Sequence, residues 1–146
     1  MPSQRLTADT FARPALRSMQ RSRGLVLVAE SDRKFLERVT NLVRSEGYYA
    51  VTTTVGRDVI SLAAFHRPQL IVLDIEFPDA DGRDLLQALK RDPRIADIPV
   101  LMCSERDYDS DRLIATELGA YYVPKWDPLT LMHELTRLLT GKPHDR

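Results

Sequence analysis

Four polar side chains stand where apolar runs of the sequence end, and together their types suit phosphoryl chemistry. These residues are Glu30, Asp74, Ser104 and Lys125. Two carboxylates can hold a divalent cation, a carboxylate oxygen can act as a nucleophile, and an ammonium and a hydroxyl can stabilise a phosphoryl group. We interpret the set as a candidate cation-plus-phosphoryl site with Asp74 as the nucleophile. The alternative is that Asp74 only caps or turns the chain.

The elements that end at these residues read as buried strands. The apolar runs cover residues 25–28, 70–73, 100–103 and 121–124. Each is too short for a typical helix and is bounded by turn or cap residues, which favours strands. Residues 48–54 form a less apolar fifth strand, as suits a sheet edge. Because ligands of open parallel sheets bind at the carboxyl ends of strands, we expect the four polar residues at one rim.

The segments between the strands show the spacing of helices with one apolar face. Ser31 or Asp32 can cap the first helix, Gly47 ends it, and the second stops before Pro68. The apolar positions are Phe35, Leu36, Val39, Leu42 and Val43; Val59, Ile60, Leu62, Ala63 and Phe65; Leu85, Leu86 and Leu89; Leu113, Ile114 and Leu118; and Leu131, Leu135, Leu138 and Leu139. This fivefold β-α alternation predicts a parallel sheet with helices on both faces.

An ordered set of motifs gives the chain a family resemblance. Strand one ends in an acid, a Leu-Asp-x-x-x-Pro-x-x-Asp-Gly run follows strand three, strand four reads Pro-Val-Leu-Met-Cys-Ser, and a Gly-Ala pair leads to Lys125. Over residues 24–139 the sequence resembles the receiver domain of bacterial response regulators, the family of the chemotaxis regulator in two-component signalling. The resemblance implies a flavodoxin-like (βα)5 fold with strand order 2-1-3-4-5.

The resemblance also implies roles for the strand-end residues. Asp74 would accept a phosphoryl group from a phosphohistidine on a sensor histidine kinase or phosphotransfer protein. Mg²⁺ would be held by Glu30, Asp74 and the backbone carbonyl of Glu76, while Lys125 and Ser104 would stabilise the transfer.

Ser104 and Tyr122 match the family's switch pair, in which the hydroxyl residue moves toward the phosphate and the aromatic ring turns inward. The alternative for Tyr122 is a half-buried strand aromatic. Output would pass through the face of helix four, strand five and helix five.

The sequence departs from the family pattern at four positions. Ala29 stands where the family has a second acid, which lowers the expected affinity for Mg²⁺. The Glu76 side chain could reinforce the cation site, repel a donor, or be an exposed loop acid. Glu105 could crowd the phosphoryl pocket. Trp126 replaces a proline, so the Lys125–Trp126 bond is expected to be trans, and its ring is expected to cover the sheet edge rather than anchor a partner.

Two further features have ordinary readings. Cys103, the single cysteine, lies in an apolar strand and is expected to be a buried thiol, and the three histidines lack ligand spacing. The acid-rich residues 106–111 lack the glycine and terminal glutamate of a calcium-binding EF-hand loop. They are therefore predicted to form a solvated turn that caps helix four.

Length and charge distribution indicate how the chain is organised. The chain has 146 residues and no net charge, which disfavours general nucleic-acid binding. We predict a basic, disordered tail at residues 1–23, a receiver domain at 24–140 and a short tail at 141–146. The first tail carries five arginines against one aspartate; a docking or nucleic-acid-contacting arm is its alternative reading. It has no run resembling a signal peptide or membrane span, and the resemblance implies a cytoplasmic protein.

The sequence therefore predicts a stand-alone response regulator receiver, because too few residues follow residue 139 for an effector domain. It would not be an enzyme beyond self-catalysed phosphotransfer and autodephosphorylation, and a homodimer is left open. The first alternative is a pseudo-receiver that acts as a docking module without phosphorylation. The second is a phosphohydrolase with Asp74 as nucleophile, which lacks a second acid in an Asp-x-Asp arrangement.

Overall fold

Five parallel strands form one sheet in the order β2-β1-β3-β4-β5, as predicted. The computed structural model describes residues 23–106 and 108–141. Its strands are β1 (Leu25–Ala29), β2 (Tyr49–Thr53), β3 (Leu70–Asp74), β4 (Val100–Ser104) and β5 (Tyr121–Pro124). Its helices are α1 (Arg33–Ser45), α2 (Val59–His66), α3 (Gly82–Arg91), α4 (Asp109–Glu117) and α5 (Pro128–Thr140), with a 3₁₀ turn at Gly56–Asp58. Of the predicted tails at 1–23 and 141–146, residues 1–22 and 142–146 lie outside the described residues.

Two apolar layers hold the helices to the sheet, because successive strand side chains point to opposite faces. One layer joins the sheet to α2, α3 and α4 and includes Leu27, Ile71, Leu73, Ala63, Leu86, Leu89, Met102 and Ala115. The other joins it to α1 and α5 and includes Val26, Val28, Phe35, Val39, Val72, Leu131 and Leu135. Every residue of β3 and β4 is buried, as expected for inner strands covered on both faces.

Strand register aligns the ends that carry the polar residues. Ala29 pairs with Leu73, and Asp74 pairs with Cys103. Ser104 pairs with Pro124 at the end of β5. The carboxyl ends of β1, β3, β4 and β5 therefore meet at one edge of the sheet, which we call the rim.

Two local features fix the chain beside the rim. Asp32, not Ser31, caps α1, since its side chain accepts hydrogen bonds from the backbone amides of Lys34 at 3.0 Å and Phe35 at 3.5 Å. Gly82 begins α3 against the end of β3: a β-carbon there would lie 2.0 Å from the carbonyl oxygen of Asp74. Only glycine permits this approach, so α3 starts directly beside the candidate nucleophile.

Among the residues that the structure describes, no helix is both long and apolar enough to cross a membrane.

Candidate functional site

Glu30, Asp74 and Lys125 lie together at the rim. The Lys125 ammonium donates a hydrogen bond to Glu30 Oε2 at 2.6 Å and lies 3.3 Å from Asp74 Oδ1. Glu30 is 1% exposed and Asp74 3% exposed, and the Lys125 side chain is 8% exposed. The structure thus brings together three of the four side chains singled out in the sequence, with one ammonium between two buried carboxylates.

Ser31 is a site residue that the sequence reasoning missed. Its hydroxyl lies 2.7 Å from both Asp74 Oδ2 and the Glu76 carbonyl oxygen, and its backbone amide lies 3.3 Å from Asp74 Oδ2. The Glu76 amide donates to Asp74 Oδ1 at 3.2 Å. Both Asp74 oxygens are therefore hydrogen-bonded. The available signal was the position of Ser31 directly after the strand-end acid, but helix capping explained that position equally well.

The pKa values of the two buried carboxyls are shifted in opposite directions. Burial and the neighbouring Asp74 raise the pKa of Glu30 to about 8, and their effect outweighs that of Lys125, which lowers it. Burial alone would raise the pKa of Asp74, but hydrogen bonds from Glu30 and Ser31 and the charge of Lys125 bring it below its usual value. Glu30 therefore holds a proton at neutral pH while Asp74 stays ionised, as a nucleophile requires.

Lys125 remains an ammonium in this setting. Burial by itself would lower the pKa of Lys125, but its hydrogen bond with Glu30 and the charges of Glu30 and Asp74 raise it above the usual value. The rim consequently keeps one fixed positive charge beside the ionised Asp74.

The oxygen atoms at the rim suit a hard divalent cation. Glu30 Oε1 is buried and has no hydrogen-bond partner among the described residues. With Asp74 and the Glu76 carbonyl it offers oxygen donors of the kind that Mg²⁺ takes, the remaining positions being filled by water and phosphate oxygens. No group of three or more His, Cys, Asp or Glu side chains suited to a metal occurs in the described ranges. Ala29, fully buried, leaves the acid count at two. The Glu76 side chain is exposed, as a loop acid.

Ser104 and Tyr122 both form hydrogen bonds with the backbone of Arg106. Ser104 is buried, and its hydroxyl oxygen accepts a hydrogen bond from the Arg106 amide at 3.2 Å. The Tyr122 hydroxyl donates to the Arg106 carbonyl at 2.6 Å. The ring of Tyr122 is half-buried and packs against the layer under α4. Both predicted switch residues are therefore hydrogen-bonded to the loop between β4 and α4.

The prediction of a solvated capping turn at residues 106–111 is wrong for Asp111. This residue is fully buried and accepts a hydrogen bond from Arg106 Nε at 2.8 Å. The residue before α4 is Tyr108, which makes no side-chain capping hydrogen bond. Asp111 escaped prediction because its partners come from a loop and from α3, which helical spacing does not reveal. Cys103 is buried as predicted, and burial raises the pKa of its thiol.

Two substitutions near the rim face outward. Trp126 is 64% exposed, so the prediction that its ring covers the sheet edge is wrong. Its bond to Lys125 is trans, since no cis peptide occurs among the described residues. Glu105 is exposed, and its crowding of the phosphoryl pocket stays a prediction. Both residues line an open cleft of about 420 Å³ beside Lys125, together with Asp32, Lys34, Phe35 and Arg38.

Comparisons with known proteins agree with this geometry. Residues 26–135 match the family model described as the response regulator receiver domain. The chain is 32% identical over 117 residues to the transcriptional regulatory protein CssR of Bacillus subtilis, covering 78% of this chain and 50% of that protein. It is 32% identical over 114 residues to the response regulator MprA of Mycolicibacterium vanbaalenii, covering 77% and 48%. The chain therefore belongs to the response regulator receiver family of two-component signalling.

A solved structure supports the fold independently. The signal receiver domain of a DNA-binding response regulator from Colwellia psychrerythraea superposes with a TM-score of 0.73 at 21% identity, covering 81% of this chain and 98% of that one. The chain spans about half the length of the curated relatives it matches. The family assignment therefore concerns the receiver domain.

Proposed function

We propose that this receiver accepts a phosphoryl group on Asp74 from a phosphohistidine of a sensor histidine kinase or phosphotransfer protein, and signals through protein contacts. The observation that carries the proposal is the buried Lys125 ammonium, 2.6 Å from Glu30 and 3.3 Å from an ionised Asp74. A fixed positive charge beside a nucleophilic carboxylate is what phosphoryl transfer needs, because positioning and electrostatics supply most of its catalysis.

In the transfer, an Asp74 oxygen forms a bond to phosphorus as the phosphorus–nitrogen bond of the donor breaks. The bonding electron pair stays on the imidazole nitrogen, which takes up a proton from water. Lys125 pairs with the phosphoryl oxygens as a point charge, and the Ser104 hydroxyl donates a hydrogen bond to them. Mg²⁺, held by Glu30, Asp74 and the Glu76 carbonyl, would supply further positive charge to these oxygens.

The hydrogen bonds of Asp74 set a condition on access. Asp74 Oδ2 is covered by the Ser31 hydroxyl at 2.7 Å, and Oδ1 by the Glu76 amide at 3.2 Å and Lys125. A donor must therefore break one of these bonds. The Ser31 hydroxyl is the partner that can rotate away, because its side chain turns about a single bond whereas the amide is fixed by the backbone.

Exposed apolar side chains support the proposed output surface of α4, β5 and α5. Leu113 on α4 is 57% exposed, Tyr121 on β5 is 39% exposed and Leu129 on α5 is 65% exposed. Each of the three elements of the predicted surface thus presents a large exposed apolar side chain, of the kind that protein interaction sites use. The stand-alone role, the homodimer and the cytoplasmic location stay predictions.

The pseudo-receiver is the second candidate, and two observations favour it. Ala29 leaves the rim one acid short, and Asp74 is only 3% exposed. A docking module of the same fold would need neither cation nor phosphate. Nothing in the described residues favours the phosphohydrolase.

Mass measurement after treatment with acetyl phosphate and Mg²⁺ separates these candidates. We expect one base-labile phosphoryl group on the wild-type protein and none on Asp74→Asn. The matched control is Asp84→Asn, which removes an exposed acid of α3 and should retain full incorporation. An unchanged mass for folded wild-type protein, with acetyl phosphate and with phosphorylated histidine kinase, would establish the pseudo-receiver.

A further inference from the structure

Asp111 is a fully buried carboxylate that binds two arginines from different segments. Its Oδ2 accepts a hydrogen bond from Arg106 Nε at 2.8 Å, and its Oδ1 accepts from a second Arg106 nitrogen at 3.3 Å. Oδ1 also lies 3.4 Å from a guanidinium nitrogen of Arg83 on α3. Removing one partner of a buried ion pair is strongly destabilising, so these bonds hold the loop firmly against α4.

Arg106 connects this ion pair to both candidate switch residues. Its backbone amide donates to Ser104 Oγ at 3.2 Å, and its backbone carbonyl accepts from the Tyr122 hydroxyl at 2.6 Å. A serine hydroxyl has one proton to donate and lone pairs to accept with. Because the Arg106 amide occupies a lone pair of Ser104, it restricts the directions in which the Ser104 proton can point.

Arg83 extends the network to the start of α3. Its Nε donates to Asp81 Oδ1 at 3.0 Å, and its backbone amide donates to the same oxygen at 2.8 Å. Asp81 caps α3 directly before Gly82, which packs against the backbone of Asp74. The network therefore joins the segment that supports the nucleophile to the loop that orients Ser104.

We propose that Asp111 is a positioning residue for phosphoryl transfer: by holding the Arg106 guanidinium it fixes the Arg106 amide, which orients the Ser104 hydroxyl toward the phosphoryl oxygens. The inference rests on the proposed function, because it assigns a part in that transfer. Asp111 touches neither donor nor nucleophile, and its effect passes through Arg106 and Ser104.

A double-mutant cycle on the rate of phosphorylation by acetyl phosphate tests this route. Asp111→Asn keeps the side-chain shape but removes the charge that binds Arg106. We expect it to slow phosphorylation about tenfold in the wild-type background and by less than about twofold in a Ser104→Ala background, because interacting residues are not additive. A merely structural role of Asp111 would slow both backgrounds equally.

Two controls keep the cycle interpretable. Asp92→Asn breaks an Asp–Arg pair with an exposed arginine, away from the rim, and should leave the rate unchanged. Arg106→Lys keeps the positive charge and the backbone amide but loses the paired contact with Asp111, so it should reproduce the slower rate if Asp111→Asn does not fold.

Amide hydrogen exchange supplies a readout that does not depend on phosphate. Exchange of the Arg106 amide should accelerate several-fold in Asp111→Asn and stay unchanged in Asp92→Asn. A wild-type protein that takes up no phosphoryl group overturns the proposed function and this inference with it. A phosphorylated wild type in which Asp111→Asn slows both backgrounds equally, or leaves the Arg106 amide unaffected, overturns this inference alone.

Discussion

Two charge clusters lie near Ser104, and they differ in how their charges are balanced. The rim cluster consists of Glu30, Asp74 and Lys125. The loop cluster consists of Asp81, Arg83, Arg106 and Asp111. The rim cluster has two carboxylates for one ammonium, whereas the loop cluster has two carboxylates for two guanidinium groups. The rim cluster therefore lacks one positive charge.

The imbalance has visible consequences. In the rim cluster, burial and the neighbouring Asp74 raise the pKa of Glu30 to about 8, and Glu30 Oε1 has no hydrogen-bond partner among the described residues. In the loop cluster, the hydrogen bond with Asp111 raises the pKa of Arg106, so Arg106 stays a cation. A buried carboxylate is ordinary once it is matched by cations. A buried cluster with more carboxyl groups than cations is a place where a proton, a metal ion or another cation can bind.

The largest expected effect comes from removing the single cation of the rim cluster. Lys125→Met should lower the free energy of unfolding by about 3 to 5 kcal/mol at neutral pH, because it leaves the buried, ionised Asp74 without a counter-charge. Urea unfolding would measure the loss. Arg83→Met is the matched change in the loop cluster. Its side chain is 34% exposed and Arg106 still binds Asp111, so we expect a loss of about 1 kcal/mol or less. Equal losses would contradict the contrast between the clusters.

The pH dependence of stability should reveal the proton on Glu30. Between about pH 4.5 and 8 the folded protein keeps this proton and the unfolded chain releases it. Raising the pH favours the state with fewer bound protons, so stability should fall across this window, by no more than about 1.4 kcal/mol per pH unit. Glu30→Gln should flatten this slope in urea unfolding. Glu105→Gln changes an exposed acid nearby and should leave it intact; a wild-type slope of zero would argue against a protonated Glu30.

Adding a third carboxylate to the rim cluster should strengthen its binding of Mg²⁺. Ala29→Asp is expected to strengthen Mg²⁺ binding about tenfold, corresponding to about 1.4 kcal/mol. Trp126, which follows Lys125, provides a fluorescence signal for the titration. Because Ala29 is fully buried, the variant should also be less stable without Mg²⁺.

A second variant shows the cause if Ala29→Asp does not strengthen Mg²⁺ binding. If Ala29→Asp binds Mg²⁺ no better, Glu105→Ala is added in the same background. Recovered binding would show that the Glu105 charge at the neighbouring cleft opposes the site. Continued failure in both variants would point to a docking module whose acids do not bind a metal.

The sequence was sufficient for the fold and for the meeting of Glu30, Asp74 and Lys125. Apolar strands that alternate with helices must be parallel, and the carboxyl ends of parallel strands share an edge. Residues that directly follow such strands therefore approach one another whatever the details of side-chain packing. The arrangement of this part of the site follows from topology.

Other features depend on side-chain direction, which spacing does not fix. The sequence leaves the cap of α1 open between Ser31 and Asp32, which are equally good cap residues; in the structure Asp32 caps the helix, and Ser31 binds Asp74. The acid-rich run at 106–111 predicts a solvated turn, because spacing along the chain does not reveal the two arginines that pair with Asp111. The sequence predicts that the Trp126 ring covers the sheet edge, yet the ring is exposed, because position in the sequence does not fix the direction of a loop side chain.

The smallest expected effect separates the hydrogen bonds of the rim cluster from its charges. Ser31→Ala removes the hydroxyl from Asp74 Oδ2 and the Glu76 carbonyl without changing any charge. It should lower the free energy of unfolding by about 1 kcal/mol, the typical contribution of one hydrogen bond. Because a donor no longer has to displace this hydroxyl, phosphorylation by acetyl phosphate should be about two- to fivefold faster, which is less than 1 kcal/mol in the barrier.

The matched control is Ser45→Ala, which removes an exposed hydroxyl bonded to the Leu42 carbonyl on α1. It should change neither the phosphorylation rate nor, by more than about 0.5 kcal/mol, the stability. A slower rate in Ser31→Ala would mean that the hydroxyl orients Asp74 for attack rather than covering it. In that case the shortage of positive charge, and not the covering hydroxyl, limits phosphorylation, and Ala29→Asp becomes the variant that should accelerate it.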